Sequence, residues 1–311
     1  MHRFISYLYG TKAADMFNFR LQVFYSVALH GSFTKAAREL HVTQPAITNN
    51  IKELESSLGV SLFDRNHGGI SLTRAGRIVL EYTEHAIREY RNMEFEISSL
   101  KNSFSGTLRI GASTTIEQYV LPEMLSKFTK QYPEVEIFVF NNNTMNVEKD
   151  VLSRKIDVGI VEGTPGQVEF RYAPFMKDEI VAVAHVSQPA SRNPQVSLRQ
   201  LVETPLVLRE IGSGTLDVIV GALHAHGIKL KDLNVKMHLG STESIKSFLK
   251  NSNCVGLVSV HAISKEIARG EFQVIDIDGL DITRTFHFIL PQGEQNGMAD
   301  MFIDFCRKHT G

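Results

Sequence analysis

Four apolar residues, Ile47, Ile51, Leu54 and Leu58, recur at helical spacing and draw one stripe along a short stretch of the chain. Gln44, Thr48, Lys52 and Glu55 fall on another face. Thr43 stands where an N-cap is needed, Pro45 sits in the first turn where a missing N–H does no harm, and Gly59 follows as a stop. Upstream, Leu21, Phe24, Val27 and Ala28 give Phe19 to His30 an apolar face. Gly31 and Ser32 interrupt it, and Thr34 to Leu40 turns Ala36, Ala37 and Leu40 inward. Two short helices joined by the tight turn His41-Val42, the second with a polar N-terminal face, predict a helix-turn-helix. Val60 to Arg65 and Ile70 to Thr73 flank a turn rich in Asn and Gly, which predicts a hairpin in the position of a wing.

Beyond the wing, Thr73 to about Asn102 lacks proline and reads as one long helix. Val79, Tyr82, Ala86, Tyr90, Met93, Ile97 and Leu100 step along it in a near-heptad seam, which suits either a coiled-coil dimer or packing on its own domain. Ser103 to Gly106 marks a hinge. From Thr107 strands and helices alternate, and that alternation predicts parallel α/β sheets. Leu108 to Gly111, Val135 to Phe140 and Val158 to Val161 are strands of a first lobe. Ile180 to His185, Pro205 to Leu208 and Val255 to Val260 are strands of a second. Phe272 to Ile277 and Phe286 to Leu290 are expected to return the chain to the first lobe, followed by a last helix from about Met298 to His309.

The chain has 311 residues, room for two or three domains, and an apolar content of 43% that suits a folded globular protein. Its net charge of −1 excludes a general polyanion binder. Between Asn18 and Arg77, however, seven basic residues face four acidic ones, the sign expected of a phosphate-facing module. Two cysteines, Cys254 and Cys306, are too few for a disulfide scaffold and suit free thiols in a reducing compartment, with a single cross-link as the alternative. No apolar run approaches the roughly 18 residues that span a membrane. Residues 1–17 read as a variable lead-in without a signal sequence, and the expected location is cytoplasmic.

Phe33-Thr34-Lys35-Ala36-Ala37, Thr43-Gln44-Pro45-Ala46-Ile47-Thr48, Leu62-Phe63-Asp64-Arg65 and Leu72-Thr73-Arg74-Ala75-Gly76 together resemble the signature of LysR-type transcriptional regulators. The resemblance implies a winged helix-turn-helix at 18–76, a linker and dimerisation helix at 77–105, and a two-lobed α/β effector domain at 106–311 of the periplasmic-binding-protein type. Its first lobe would hold about 106–165 and 270–311, and its second about 166–269. It further implies a double-stranded DNA operator built as an inverted repeat, self-association as a dimer or tetramer, contact with RNA polymerase, and no cofactor beyond a small effector.

DNA contacts are expected from Thr34, Thr43, Gln44, Pro45, Thr48, Asn49, Lys52, Arg65, His67 and Arg74. Family members commonly carry a basic residue where this chain has Asn49, and an asparagine there suits adenine. In the effector domain, Ser113, Thr114 and Thr115 bring hydroxyls to a helix start, and so do Ser213 and Thr215 beyond Arg209, and Ser241 and Thr242. Three such starts converging on one cleft would bind a carboxylate, phosphate, sulfate or sulfite. The plainer alternative is that these residues only cap their helices. Asn142, Glu162 and Gly163 lie after strand ends and are expected to line the cleft, while Lys246 is expected to be solvated. The loops at Gly111 to Ile116, Arg209 to Thr215 and Gly240 to Lys246 are most similar to regulators of Calvin-cycle carboxylase and sulfite-reductase genes.

A solute-binding transport protein would account for the α/β region but leave the first hundred residues without a role. No Walker loop, His-Glu-x-x-His, Cys-x-x-Cys or Gly-x-Ser-x-Gly is present, so neither an enzyme nor a metal site is expected.

Overall fold

The computed structural model describes residues 18–66, 69–100, 104–163 and 165–310. The lead-in at 1–17, His67, and the side chain of Arg65 lie outside the described residues. The chain parts at Gly106–Thr107 into two compact units, each taken by itself below.

In the first unit Asn18 caps helix α1 (Phe19–His30), and Gly31 closes it in the left-handed conformation. Helix α2 (Phe33–Glu39) starts at Ser32, whose hydroxyl accepts from the Lys35 N–H at 3.3 Å. Helix α3 (Gln44–Leu58) starts at the Thr43 cap, carries proline in its first turn and stops at Gly59, φ +70°. Val23, Phe24 and Val27 of α1, Phe33, Ala36 and Ala37 of α2, and Ile47, Ile51 and Leu54 of α3 form one core. Leu58, expected on the same stripe, is 47% exposed, because it falls in the last turn beyond those contacts. Strands β1 (Phe63–Asn66) and β2 (Gly69–Leu72) pair antiparallel and make the wing. Phe63 anchors the wing to the core, its ring centroid 5.4 Å from Phe24 and 5.9 Å from Phe33. Glu55 of α3 reaches back to accept the Leu62 N–H at 2.7 Å, which ties α3 to the wing. Helix α4 (Arg74–Leu100) follows for 27 residues. Tyr82, Met93, Ile97 and Leu100 of its seam stand exposed in the single chain.

The second unit carries strand β3 (Gly106–Ser113), helices α5 (Thr114–Tyr119) and α6 (Leu121–Gln131), β4 (Val135–Asn142), α7 (Thr144–Leu152) and β5 (Val158–Val161). It continues with β6 (Phe170–His185), β7 (Gln195–Val196), α8 (Leu198–Glu203), β8 (Leu206–Arg209), α9 (Gly214–Ala225) and β9 (Val235–Leu239). It ends with α10 (Thr242–Leu249), β10 (Val255–Ser259), α11 (Val260–Ala268), β11 (Phe272–Ile277), β12 (Ile282–Pro291) and α12 (Gly297–His309). The main strand order is β4-β3-β5-β12-β6-β10-β8-β9.

The sheet is mixed rather than purely parallel. β3 with β5, and β8 with β9 and β10, run parallel; β6 and β12 pair antiparallel with each other and with β10 and β5. These two long strands carry the chain between the lobes. Phe170 at one end of β6 packs with Val147, Val151 and Ile289 of the first lobe, whereas Ala182 and Ala184 near the other end join Leu201, Leu206 and Leu257 of the second. The crossing between lobes, expected at 165/166, therefore lies further along the chain, inside β6. The return boundary also moves: β11 pairs with β6 at residues 182–185, and its Ile275 lies in the second-lobe core. The first half of β6 escapes a hydrophobic scan because Arg171, Pro174 and Lys177 break its apolar run. Pro174 is tolerated where the register shifts between Phe286 and His287, a place where no ladder N–H is needed.

Candidate functional site

On α3 the buried stripe leaves Gln44, Pro45, Asn49 and Lys52 exposed along one side, with Thr43 exposed at the cap. Thr34 of α2 and Arg74 at the start of α4 are exposed as well. Thr34 Oγ1 donates to Gln44 Oε1 at 3.4 Å, so the two residues meet where the turn brings α2 onto the head of α3. Thr48 Oγ1 donates to the Gln44 carbonyl at 3.1 Å. Asn49 Nδ2 donates to Glu53 Oε1 at 2.9 Å, and the other oxygen of Glu53 pairs with Arg20 at 2.8 Å.

In the second unit the predicted loops meet around a buried charge cluster. Glu162, just beyond β5, is 2% exposed. Ser113 at the end of β3 donates to its Oε1 at 2.8 Å. Thr215 in the first turn of α9, from the second lobe, donates to Oε2. Arg284 of β12 donates to the same oxygen at 2.6 Å and to the Thr215 hydroxyl at 3.0 Å. Arg284 stands opposite Asp178 in the β6–β12 ladder, and its Nε donates to Asp178 Oδ2 at 2.7 Å. Ser259 closes the set on Asp178 Oδ1 at 2.7 Å. Burial raises the Glu162 carboxyl, but the Arg284 charge and the surrounding hydroxyls outweigh it and hold the group below the usual carboxylate range. Asp217, one turn into α9, moves the other way, raised by burial and then by the negative charge of Glu162.

A second cluster lies at the same meeting of loops. Arg209, at the end of β8, is 2% exposed and points inward. Its Nη2 reaches Thr114 Oγ1 of the first lobe and the Gly240 carbonyl of the second, each at 3.4 Å. Glu210 grips the same guanidinium at 2.8 and 3.1 Å. Lys246, expected in solvent, is instead buried. It bonds Glu243 and Glu266 at 2.6 Å each and the Ala262 carbonyl at 3.0 Å, with its ammonium 5.1 Å from the Tyr119 ring centroid. The α10 residue looked solvated because its partners come from a turn upstream and from α11. Tyr119 donates from α5 to Glu243 of α10 across the lobes, and burial, followed by this bond, pushes its hydroxyl far above the usual range.

The loops at Ser113–Thr115, Arg209 and Thr215 therefore do come together. Ser113 and Ser213 head α5 and α9 without capping them, whereas Ser241 does cap α10, accepting from Ser244 N at 3.1 Å. Thr115, Ser213 and Thr242 are buried in the same loops. Asn142 lies at the start of α7, where its Oδ1 accepts from Asn143 N and Asn146 Nδ2. Its neighbour Asn141 accepts from Thr114 Oγ1 at 3.2 Å, since successive residues of a strand face opposite ways. Gly163 holds φ +115°, a conformation that only glycine adopts freely.

Arg284, Asp178, Ser259 and Tyr119 were missed. The available signal was period two. Ile282, Arg284 and Phe286 share one buried face of β12, and Asp178, Ile180 and Ala182 share one of β6, so a charge stands at a core position in each strand. Among the described residues no cluster of His, Cys, Asp and Glu fits a metal ion, and no helix is long and apolar enough to cross a membrane.

Residues 19–77 match the family described as bacterial regulatory helix-turn-helix protein, lysR family, and residues 101–311 match that described as LysR substrate binding domain. The HTH-type transcriptional activator CmpR of Synechocystis sp. is 28% identical over 291 residues, which cover 93% of this chain and 94% of that protein. A probable RuBisCO transcriptional regulator of Phaeodactylum tricornutum is 32% identical over 273 residues, covering 87% and 89%. The solved regulatory domain of CcmR from Synechocystis, in complex with 2-PG, superposes with a TM-score of 0.59 at 26% identity, covering 66% of this chain and 97% of that one.

Proposed function

The chain belongs to the LysR family of DNA-binding transcriptional regulators, and we propose that it reads its operator through α3 and its signal through the cleft around Ser113, Glu162, Arg209 and Thr215. It is a regulator with an effector-binding domain, as its relatives are, and not an enzyme; nothing supports the transport alternative. The working division is DNA binding by 18–76, dimerisation by 77–105 and effector binding by 106–311, in the cytoplasm where the operator lies.

The effector is a small anion. The observation that carries this is the set of buried donors, Ser113, Thr215 and Arg284, drawn from both lobes and a crossing strand and gathered on one carboxylate. A site that holds one carboxylate this way has the chemistry to hold another, or a phosphate. The complex of the CcmR regulatory domain with 2-PG supports the same class. The exposed seam Tyr82, Met93, Ile97 and Leu100 supports α4 as the dimer contact, which would set two copies of α3 over two half-sites. Signal passes because the effector binds one arrangement of the lobes better than another, and only that difference in affinity shifts the dimer on its DNA.

The test is a footprint on DNA upstream of the gene, with and without 2-PG, sulfate, phosphate and a panel of carboxylates at fixed ionic strength, because phosphate contacts make binding salt-dependent. The expected result is a protected inverted repeat that shortens or shifts with one anion. Protection that no anion moves would refute the effector class.

On the DNA side, Gln44→Ala and Thr48→Ala should each lower discrimination between operator and scrambled DNA by about 1–3 kcal/mol while leaving non-specific affinity intact. Competition binding reads this directly. An unaltered ratio in both variants would remove α3 from base readout.

A further inference from the structure

The buried cations of the cleft are all matched by the chain's own carboxylates. Arg209 is held by Glu210, Lys246 by Glu243 and Glu266, and Arg284 by Glu162 and Asp178. Three cations thus face five carboxylates, and a free anion finds no unmatched charge among them. Two hydroxyls of the cleft are taken up in the same way. Ser113 stands at the head of α5, where its side chain would ordinarily cap the helix, yet it is given to Glu162. Thr215, in the first turn of α9, is given to Glu162 as well.

We propose that Glu162 is a tethered occupant of the effector seat: its carboxylate fills the donors meant for a free carboxylate or phosphate, holds the two lobes together through them, and leaves when the effector takes its place. This rests on reading the cleft as the effector site. Four observations carry it. The donors come from three separate elements, so the carboxylate they share is also the bond between lobes. The fit is close: a Cβ added at Gly214 of α9 would stand 2.5 Å from the Glu162 carbonyl oxygen and 2.6 Å from Thr144 Oγ1. Beside the cluster, the Met145 N–H of α7 donates across the lobes to the Gly212 carbonyl at 3.2 Å. Lastly, Glu162 is followed by Gly163, whose φ of +115° and open surroundings let the backbone turn without moving a side chain.

Exchange is the route that electrostatics favours. Adding a free anion beside an ionised Glu162 would set two negative charges on one guanidinium that already serves Asp178. Replacing Glu162 by a monoanion keeps the charge of the site unchanged and returns the displaced carboxylate to water. The effector's affinity is therefore set against an internal competitor, which raises the concentration at which the regulator responds.

The experiment is binding of sodium formate to the full chain and to Glu162→Ala, by calorimetry and thermal shift, with sodium chloride as the ionic-strength control. Formate is the carboxylate that the alanine variant lacks. Glu162→Ala should bind it at least about tenfold more tightly than the wild type, because the freed donors form charge-assisted bonds to it. A variant that folds only in formate, with chloride unable to substitute, supports the proposal equally. Equal, weak binding by both proteins overturns it. If Glu162→Ala does not fold in either salt, Glu162→Gln serves instead: it removes the competing charge and should bind sulfate more tightly than the wild type, and unchanged sulfate affinity overturns the proposal. The readout involves no DNA. Tight formate binding by the variant, together with a wild-type footprint that no anion moves, would keep the carboxylate-binding donors and overturn the effector reading together with the exchange.

Discussion

Arg284→Ala should destabilise the effector domain by about 3–5 kcal/mol, the range found when one partner of a buried ion pair is removed and the other charge is left behind. Here two charges are left. Glu162 and Asp178 have side chains 1% and 0% exposed, and each contacts Arg284 at 2.6 Å. The hydroxyls of Ser113, Thr215 and Ser259 remain as donors but carry no charge to offset the cost of burial. Arg284→Lys should recover only part of the loss, because a single ammonium cannot reproduce the guanidinium's fork between two carboxylates.

The pH dependence gives this prediction its sign. In the wild type the Glu162 carboxyl is held below its ordinary value. Its contribution to stability is fully present above the unfolded pKa, about 4.3, and is lost as pH falls through the lower folded one. Without Arg284 the burial remains and raises the carboxyl, so the variant regains stability when protonation neutralises it. The gap between the two proteins should be largest near neutrality and shrink on acidification. Urea unfolding followed by circular dichroism at several pH values measures it; the chain has no tryptophan to report by fluorescence. A gap below about 1 kcal/mol at neutral pH, the level of an exposed salt bridge, would show that the cluster is not the buried network described.

The parts of this protein legible in its sequence are those with local causes. Thr43, Pro45 and Gly59 mark the limits of α3 through the backbone of their own turn, and the wing follows from a turn between two short apolar runs. The hydroxyls at Ser113 and Thr215 were legible as helix starts for the same reason. What they bind was not. Their shared partner is 49 residues from one and 53 from the other, and Arg284 lies 122 residues from Glu162. Pairing at that range follows from the crossing of β6 and β12, and half of β6 is hidden by its own charged residues and proline. Lys246 was misread because a helical lysine is ordinarily solvated; here α5 and α11 close over it.

In the DNA-binding unit the largest effect is expected from the smallest substitution, Gly76→Ala. In an isolated helix this exchange would stabilise by about 1 kcal/mol. At Gly76 the added methyl would stand 2.1 Å from the Leu62 carbonyl oxygen and 2.9 Å from Leu72 Cδ2. The leucine side chain can give way, but the carbonyl cannot. The Leu62 N–H is fixed to Glu55 at 2.7 Å, its carbonyl accepts from Thr73 N at 3.0 Å, and Leu62 is fully buried in the core that supports α3. Relief must come from lifting the start of α4 off the wing, where Thr73 Oγ1 accepts the Gly76 N–H at 2.9 Å. Overpacking of this kind costs about 1–3 kcal/mol, and the backbone contact puts this case at the upper end, beyond the helical gain. Operator affinity should fall because the wing and α3 share the disturbed anchor, while unfolding of the effector unit should be unchanged because Gly76 and its contacts lie wholly in the first. A Gly76→Ala protein that binds its operator normally and melts no lower than the wild type would show that α4 does not seat against Leu62 as described.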